Sequence, residues 1–218
     1  MSQLLLDLAL AREPSLENFV VGRNAELLYQ LRSALESREG LFYLWGEPGS
    51  GCTHLLPAMT HTAQSCGLTA SYAVSRVPIE AGLVAVDEVQ HCDGDTQIAL
   101  FNRYNQMREQ GGVLLVAGNA APAHLALRDD LRTRLGWGLV YQLHSLSDPE
   151  KTHALHQYAH SKGYPLPHEV VQYLLTHGRR DLPSLLATLD ALDALSLSLH
   201  RAPSIPLLKQ AMSRTEAA

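Results

Sequence analysis

Residues 46–54 read GEPGSGCTH. Gly46, Gly49, Gly51 and Thr53 fall on the spacing of a phosphate-binding loop, G-x-x-x-x-G-K-[S/T], but Cys52 stands where that pattern has lysine. In such a loop the backbone N–H groups and the following helix N-terminus bind the anion, lysine adds a point charge, and the Ser/Thr hydroxyl reaches Mg²⁺. Cys52 removes the charge and leaves the nest. Weakened diphosphate binding and slow hydrolysis by this chain are therefore expected. A glycine turn after a strand has the same composition, so the neighbouring sequence decides between the two readings.

Upstream, LFYLW at 41–45 is a continuous apolar run bounded by glycines, which predicts a buried strand. Residues 24–38 place apolar groups at 27, 28, 31 and 35, a helical spacing stopped by Gly40. Downstream, a helix over 52–66 is predicted despite Pro57, whose ring disturbs its first turns. Apolar runs at 69–75, 82–88, 111–119 and 138–143 predict four more strands, with helices near 95–110 and 123–131. Strands alternating with helices, nearly all apolar, describe a five-stranded parallel sheet covered on both faces, an α/β fold. The texture changes at Ser147-Asp148-Pro149, a helix cap followed by proline in the first turn. Beyond it only helices are predicted, at about 149–161, 167–176, 181–198 and 204–212. The expected division is a leader at 1–20, an α/β nucleotide-binding part at 21–147 and a small helical bundle at 148–218.

A net charge of −5 and the lack of any Lys/Arg run argue against a surface built for sequence-specific nucleic-acid binding. Cys52, Cys66 and Cys92 form neither a metal spacing nor an even disulfide set. With no signal peptide evident, this predicts a cytoplasmic protein. The apolar start, MSQLLLDLALA, contains Asp7 and is too short to span a membrane.

Around the loop, further residues fit phosphate chemistry. The strand LVAVDE ends in Asp87 and Glu88, where a Mg²⁺-coordinating carboxylate and a water-activating one are needed. Thr53 and Asp87 are thus the candidate metal ligands. Asn119, at the tip of the next strand, is placed to orient water or sense a γ-phosphate. Arg134 lies just before the fifth strand, where its side chain can reach across a subunit boundary, and Arg180 opens a helix of the bundle. Bland roles compete with each. Arg134 could pair with Asp129 or Asp130, Trp45 and Trp137 read as packing residues, and His153, His156 and His160 read as a solvated helix face. Cys52 at a helix N-terminus would have a lowered pKa, but no base partner is evident.

These residues, with QLLLDL at 3–8, FVVGRNAELL at 19–28, RLGWG at 134–138, LSDPEK at 146–151 and RRDLPSLLATLDALD at 179–193, carry a resemblance. The chain is similar to the Hda family, DnaA-related AAA+ proteins that mediate regulatory inactivation of the initiator DnaA. The resemblance implies a P-loop AAA+ module with a helical lid. It implies a clamp-binding peptide at Gln3, Leu4, Leu6 and Leu8, with Asp7 where proline is common, docking on the DNA polymerase III sliding clamp. It implies that Arg134 is an arginine finger acting on ATP held by DnaA, with Arg132 as a competitor. Arg180, with Arg179 as competitor, would contact nucleotide from the lid, and Phe19, Val20 and Arg23 would border the adenine. ADP is the implied ligand at Gly46, Gly49, Gly51, Cys52 and Thr53, with Mg²⁺, and a second copy of the chain is a further implied partner.

Two rival roles stand beside this one: a DnaA-like binding or assembly factor that stimulates no hydrolysis, and an autonomous ATPase, which Cys52 opposes. The chain also departs from the family between its second and third strands. RVPIEAG at 76–82 is shorter than the dozen or more residues of a parallel crossover, so a displaced second strand or a remodelled sheet edge is expected.

Overall fold

The structure, a computed structural model, describes residues 13–78 and 81–216. These residues divide into two compact units, 13–145 and 146–216.

The first unit runs α1 (Ala25–Ser37), β1 (Glu39–Gly46), α2 (Cys52–Ser65), β2 (Ala70–Val74), β3 (Leu83–Asp87), α3 (Gly94–Gln110), β4 (Gly112–Gly118), α4 (Asp129–Leu135) and β5 (Leu139–Leu143). All five strands are parallel, in the order β2-β3-β4-β1-β5. Successive side chains of a strand point to opposite faces. Phe42 and Leu44 therefore meet Leu31, Leu55, Leu56 and Met59 of α1 and α2 on one face. Tyr43, on the other face, joins Val84, Val86, Leu100, Leu131 and Leu135 against α3 and α4. With both faces covered, every residue of β3 is buried, its final carboxylate included. Each such leucine contributes about 2 kcal/mol of burial.

Three expectations are corrected. Residues 13–20 are not a detached leader: Leu16 is buried in the core under α2, and Phe19 packs beside it. His54 Nε2 lies 3.1 Å from the Ser15 carbonyl and His61 Nδ1 3.2 Å from that of Pro14, tying this segment to α2. The helix placed near 123–131 is instead a single 3₁₀ turn at Pro122–His124 followed by α4 from Asp129. Leu125 and Leu127 between them are both buried, a spacing of two that belongs to extended chain rather than helix. Finally, β2 is not displaced. It pairs with β3 from Ala70↔Leu83 to Val74↔Asp87. Eight residues, 75–82, suffice because β2 is only five residues long. It rises about 17 Å at roughly 3.3 Å per residue, within the reach of an extended eight-residue link. Val77 and Ala81 of that link pack against the α3 face, where a crossover helix would otherwise lie.

The second unit comprises α5 (Asp148–Ser161), α6 (His168–His177), α7 (Leu182–Leu199) and α8 (Ile205–Glu216). Ser147 and Glu150 form a capping box at the start of α5. Asp181 caps α7 by accepting from the Ser184 N–H at 2.9 Å. Leu155, Val170, Leu174, Leu189, Leu192 and Leu208 make the bundle core. Among the described residues, α7 is the helix long and apolar enough to cross a membrane. Its Leu185, Leu189, Leu192 and Leu195 turn into the bundle core. Its Asp190 accepts from Tyr158 at 2.7 Å and Lys162 at 2.5 Å.

Candidate functional site

The loop at 47–51 joins the carboxyl end of β1, an interior strand between β4 and β5, to the N-terminus of α2. Gly49 and Gly51 have φ of 82° and 108°, the left-handed region that suits glycine. A Cβ on Gly46 would lie 2.5 Å from Ser50 Oγ and 2.7 Å from the Leu143 carbonyl, so this position is closed to any side chain. The Phe19 ring covers Gly51, 3.0 Å from where a Cβ would stand. At position 52, Cys52 packs against the α2-side core with its Sγ 3.6 Å from Ser50 Oγ. Burial pushes its thiol up to about 11. The lowered pKa anticipated for a helix N-terminus does not arise, and Cys52 is a packing residue.

Thr53 is exposed and near enough to the Asp87 carboxylate to help hold its pKa down, so the two candidate metal ligands are neighbours. Asp87 is only 3% exposed. Burial raises its pKa, partly offset by the Glu88 N–H, which donates to Oδ1 at 2.8 Å, and by the Thr53 hydroxyl. Tyr72 Oη lies 3.5 Å from Oδ2. Burial, with Asp87 beside it, pushes that phenol up to about 12. Glu88 is exposed, holds a left-handed φ of 51°, and keeps Oε2 3.3 Å from His91 Nδ1. Asn119 follows β4 directly, at the same carboxyl end of the sheet, and its N–H donates to Gln90 Oε1 at 3.3 Å. The turn is fixed from below by Tyr43, whose hydroxyl donates to the Ala120 carbonyl at 2.7 Å. This passage is open because Gly118 has no Cβ, which would lie 2.3 Å from the Tyr43 hydroxyl oxygen. Tyr43, Tyr72 and Gln90 were not legible as site residues, since their roles depend on partners far away in sequence.

The residues thus meet part of the demand of a Mg²⁺–nucleotide group. Gly49, Gly51 and the α2 N-terminus offer a phosphate nest, and Thr53 with Asp87 offers oxygen ligands of the kind Mg²⁺ takes. Cys52 supplies no positive charge where the loop pattern has lysine. Thr53 and Asp87 would hold Mg²⁺ at this loop, and its charge would offset that of the phosphate.

Three arginines cluster at α4, and they are held differently. Arg128 pairs with Asp130 at 2.9 Å and Arg132 with Asp129 at 2.7 Å. Both acids offered as partners for Arg134 are therefore taken. The Arg134 guanidinium lies 4.0 Å from the Trp137 ring centroid and 5.5 Å from that of Phe101. Its Nε is buried without a hydrogen-bond partner among the described residues. Trp137, expected to be a packing residue, is 57% exposed.

Within the second unit, Arg180 Nη2 contacts both oxygens of Asp148, and Arg179 lies 3.5 Å from Asp181. His153 and His156 line an open cavity of about 560 Å³ with Asp148, Thr152, His168 and Gln172. No group of three metal-ligating side chains occurs among the described residues. The peptide at Gln3, Leu4, Leu6 and Leu8 lies outside the described residues.

Comparison with known proteins follows this division. A family model described as "Hda, lid domain" matches residues 148–212. An uncharacterised protein of Haemophilus influenzae is 34% identical over 227 residues, covering 97% of this chain and 98% of the relative. Domain III of the Thermotoga maritima replication initiation protein DnaA superposes with a TM-score of 0.77 at 18% identity, over 94% of this chain and 97% of that one. AMPPCP-bound DnaA from Aquifex aeolicus gives 0.74 at 21% identity, over 86% of this chain. This chain spans 67% of that longer DnaA. The parallel five-stranded sheet with its phosphate loop, the helical bundle matched by the lid model and the full-length relative agree: the chain belongs to the Hda family of DnaA-related AAA+ proteins.

Proposed function

We propose that this chain is a regulator of replication initiation in the cytoplasm that binds the DNA-loaded sliding clamp through Gln3, Leu4, Leu6 and Leu8. It promotes hydrolysis of ATP bound to DnaA by giving Arg134 in trans. The observation that carries the reading is a contrast: Arg134 has no carboxylate partner among the described residues, while the chain's own loop has a half-buried, neutral Cys52 for lysine. A positive charge set against another molecule's γ-phosphate stabilises charge that develops in the transition state. Such a chain needs no hydrolysis of its own. Its loop then serves as a regulatory seat for ADP and Mg²⁺, at Gly46, Gly49, Gly51, Thr53 and Asp87. Glu88 and Asn119 keep positions suited to water and γ-phosphate without the lysine that would make them effective.

The test is hydrolysis of DnaA-bound ATP in the presence of DNA-loaded clamp, with wild type, Gln3→Ala and Arg134→Ala. Stimulation by wild type and its loss in both variants is expected. Folded wild-type chain that binds DnaA and leaves its hydrolysis unchanged would instead support a binding or assembly factor. A Gln3→Ala variant with full activity would remove the clamp anchor alone.

A further inference from the structure

We propose that Trp137 is a positioning residue for Arg134, holding its guanidinium by a ring face so that the terminal donors stay free for an anion on a partner molecule. The proposal rests on the role given to Arg134 above. Arg128 and Arg132 show the alternative: each is bound to a carboxylate, which offsets its charge and occupies its donors. A π face does neither. The guanidinium donors lie in its plane, and contact with a ring uses the face, so stacking orients the group without consuming its hydrogen bonds.

The chain fixes that ring from several sides. The Trp137 N–H donates to the Arg134 carbonyl at 3.0 Å, placing ring and guanidinium on one turn at the end of α4. Gly138 follows, and a Cβ there would lie 2.4 Å from the Leu41 carbonyl, so the backbone enters β5 directly after the tryptophan. Arg108, in the last turn of α3, lies over the same ring at 5.3 Å, a second cation that holds the indole in place. A surface indole contributes little to the core at 57% exposure. Its contacts with two guanidinium groups give it a different use.

The experiment measures stimulated hydrolysis of DnaA-bound ATP against chain concentration, for wild type, Trp137→Ala and Trp137→Phe, with thermal unfolding as a check on each. Arginine Nε–Hε resonances are recorded in parallel. Ring currents should shift the Arg134 resonance in wild type and in Trp137→Phe but not in Trp137→Ala. The maximal stimulated rate of Trp137→Ala should fall about tenfold or more, with half-saturating concentration within about twofold, while Trp137→Phe recovers most of the rate. A wild-type maximal rate in Trp137→Ala, or an unshifted Arg134 resonance in wild type, overturns the positioning role. Absence of stimulation by wild type, with the shifted resonance present, overturns the finger and the positioning role with it, leaving only the contact between guanidinium and ring.

Discussion

One nitrogen of Arg180, Nη2, sits 2.6 and 2.7 Å from the two carboxylate oxygens of Asp148 at the start of α5. Both side chains are more than half exposed, at 65% and 55%. An exposed pair of this kind contributes at most about 1 kcal/mol and weakens with salt. Arg180→Ala should therefore lower the unfolding free energy by less than about 1 kcal/mol. The Arg180 hydrogen bond holds the Asp148 pKa below its usual value, so its contribution is present above the unfolded pKa and is lost as pH falls through the folded one. The stability difference between wild type and Asp148→Asn should shrink accordingly on acidification below about pH 4. A difference that grows in acid would contradict this.

Cysteine reactivity separates packing from chemistry. Burial pushes Cys52 and Cys92 up to about 11, whereas Cys66 is exposed. Alkylation at mildly basic pH, followed by mass mapping, should label Cys66 and spare the other two. Cys52→Lys should tighten ADP binding about tenfold by adding a charge-assisted hydrogen bond. An unchanged affinity by calorimetry would mean that phosphate does not rest on this loop.

Asp87 carries a charge that burial makes costly. Its raised pKa means that the native state binds the proton more tightly than the unfolded chain, so acidification through the folded value relieves the cost. Asp87→Asn keeps an acceptor for the Glu88 N–H and should stabilise the fold at neutral pH by about 1 kcal/mol. The gain in melting temperature should diminish as pH is lowered. A destabilised variant would show that the carboxylate is needed for structure rather than tolerated for its chemistry.

Leu16 tests the reassigned start of the first unit. It is 5% exposed, beneath α2. Leu16→Ala should cost about 2–4 kcal/mol in denaturant unfolding. A cost under about 0.5 kcal/mol, as at a surface position, would return residues 13–20 to the status of a leader.

The sheet was legible because strands buried on both faces read as unbroken apolar runs, and LFYLW and LVAVDE are of that kind. The glycine spacing located the loop, since positive φ and close approach at positions 46, 49 and 51 admit little else. Residues 123–131 misled because Leu125, Leu127 and Leu131 imitate a mixed period, and of these only Leu131 lies on a helix, sharing its buried face with Leu135. The environment of Arg134 was hidden for another reason: Phe101 and Arg108, which complete it around Trp137, lie on α3 and meet it only in the folded sheet. Asn24 is similar. It exchanges two hydrogen bonds with His144, at 2.9 and 3.0 Å, across most of the first unit's sequence.

The eight-residue link between β2 and β3 also bears on the order in which the sheet assembles. Ala70 pairs with Leu83, only 13 positions on, whereas Glu39 pairs with Gly112 and Phe42 with Leu139. Closing a loop of about ten residues takes roughly 10–100 ns, and the entropy lost grows with the span enclosed. A pairing that in related topologies waits for a crossover helix is here nearly as local as a hairpin. Early closure at the β2 margin, ahead of the distant pairings of β1, is the expected kinetic consequence of so short a connection.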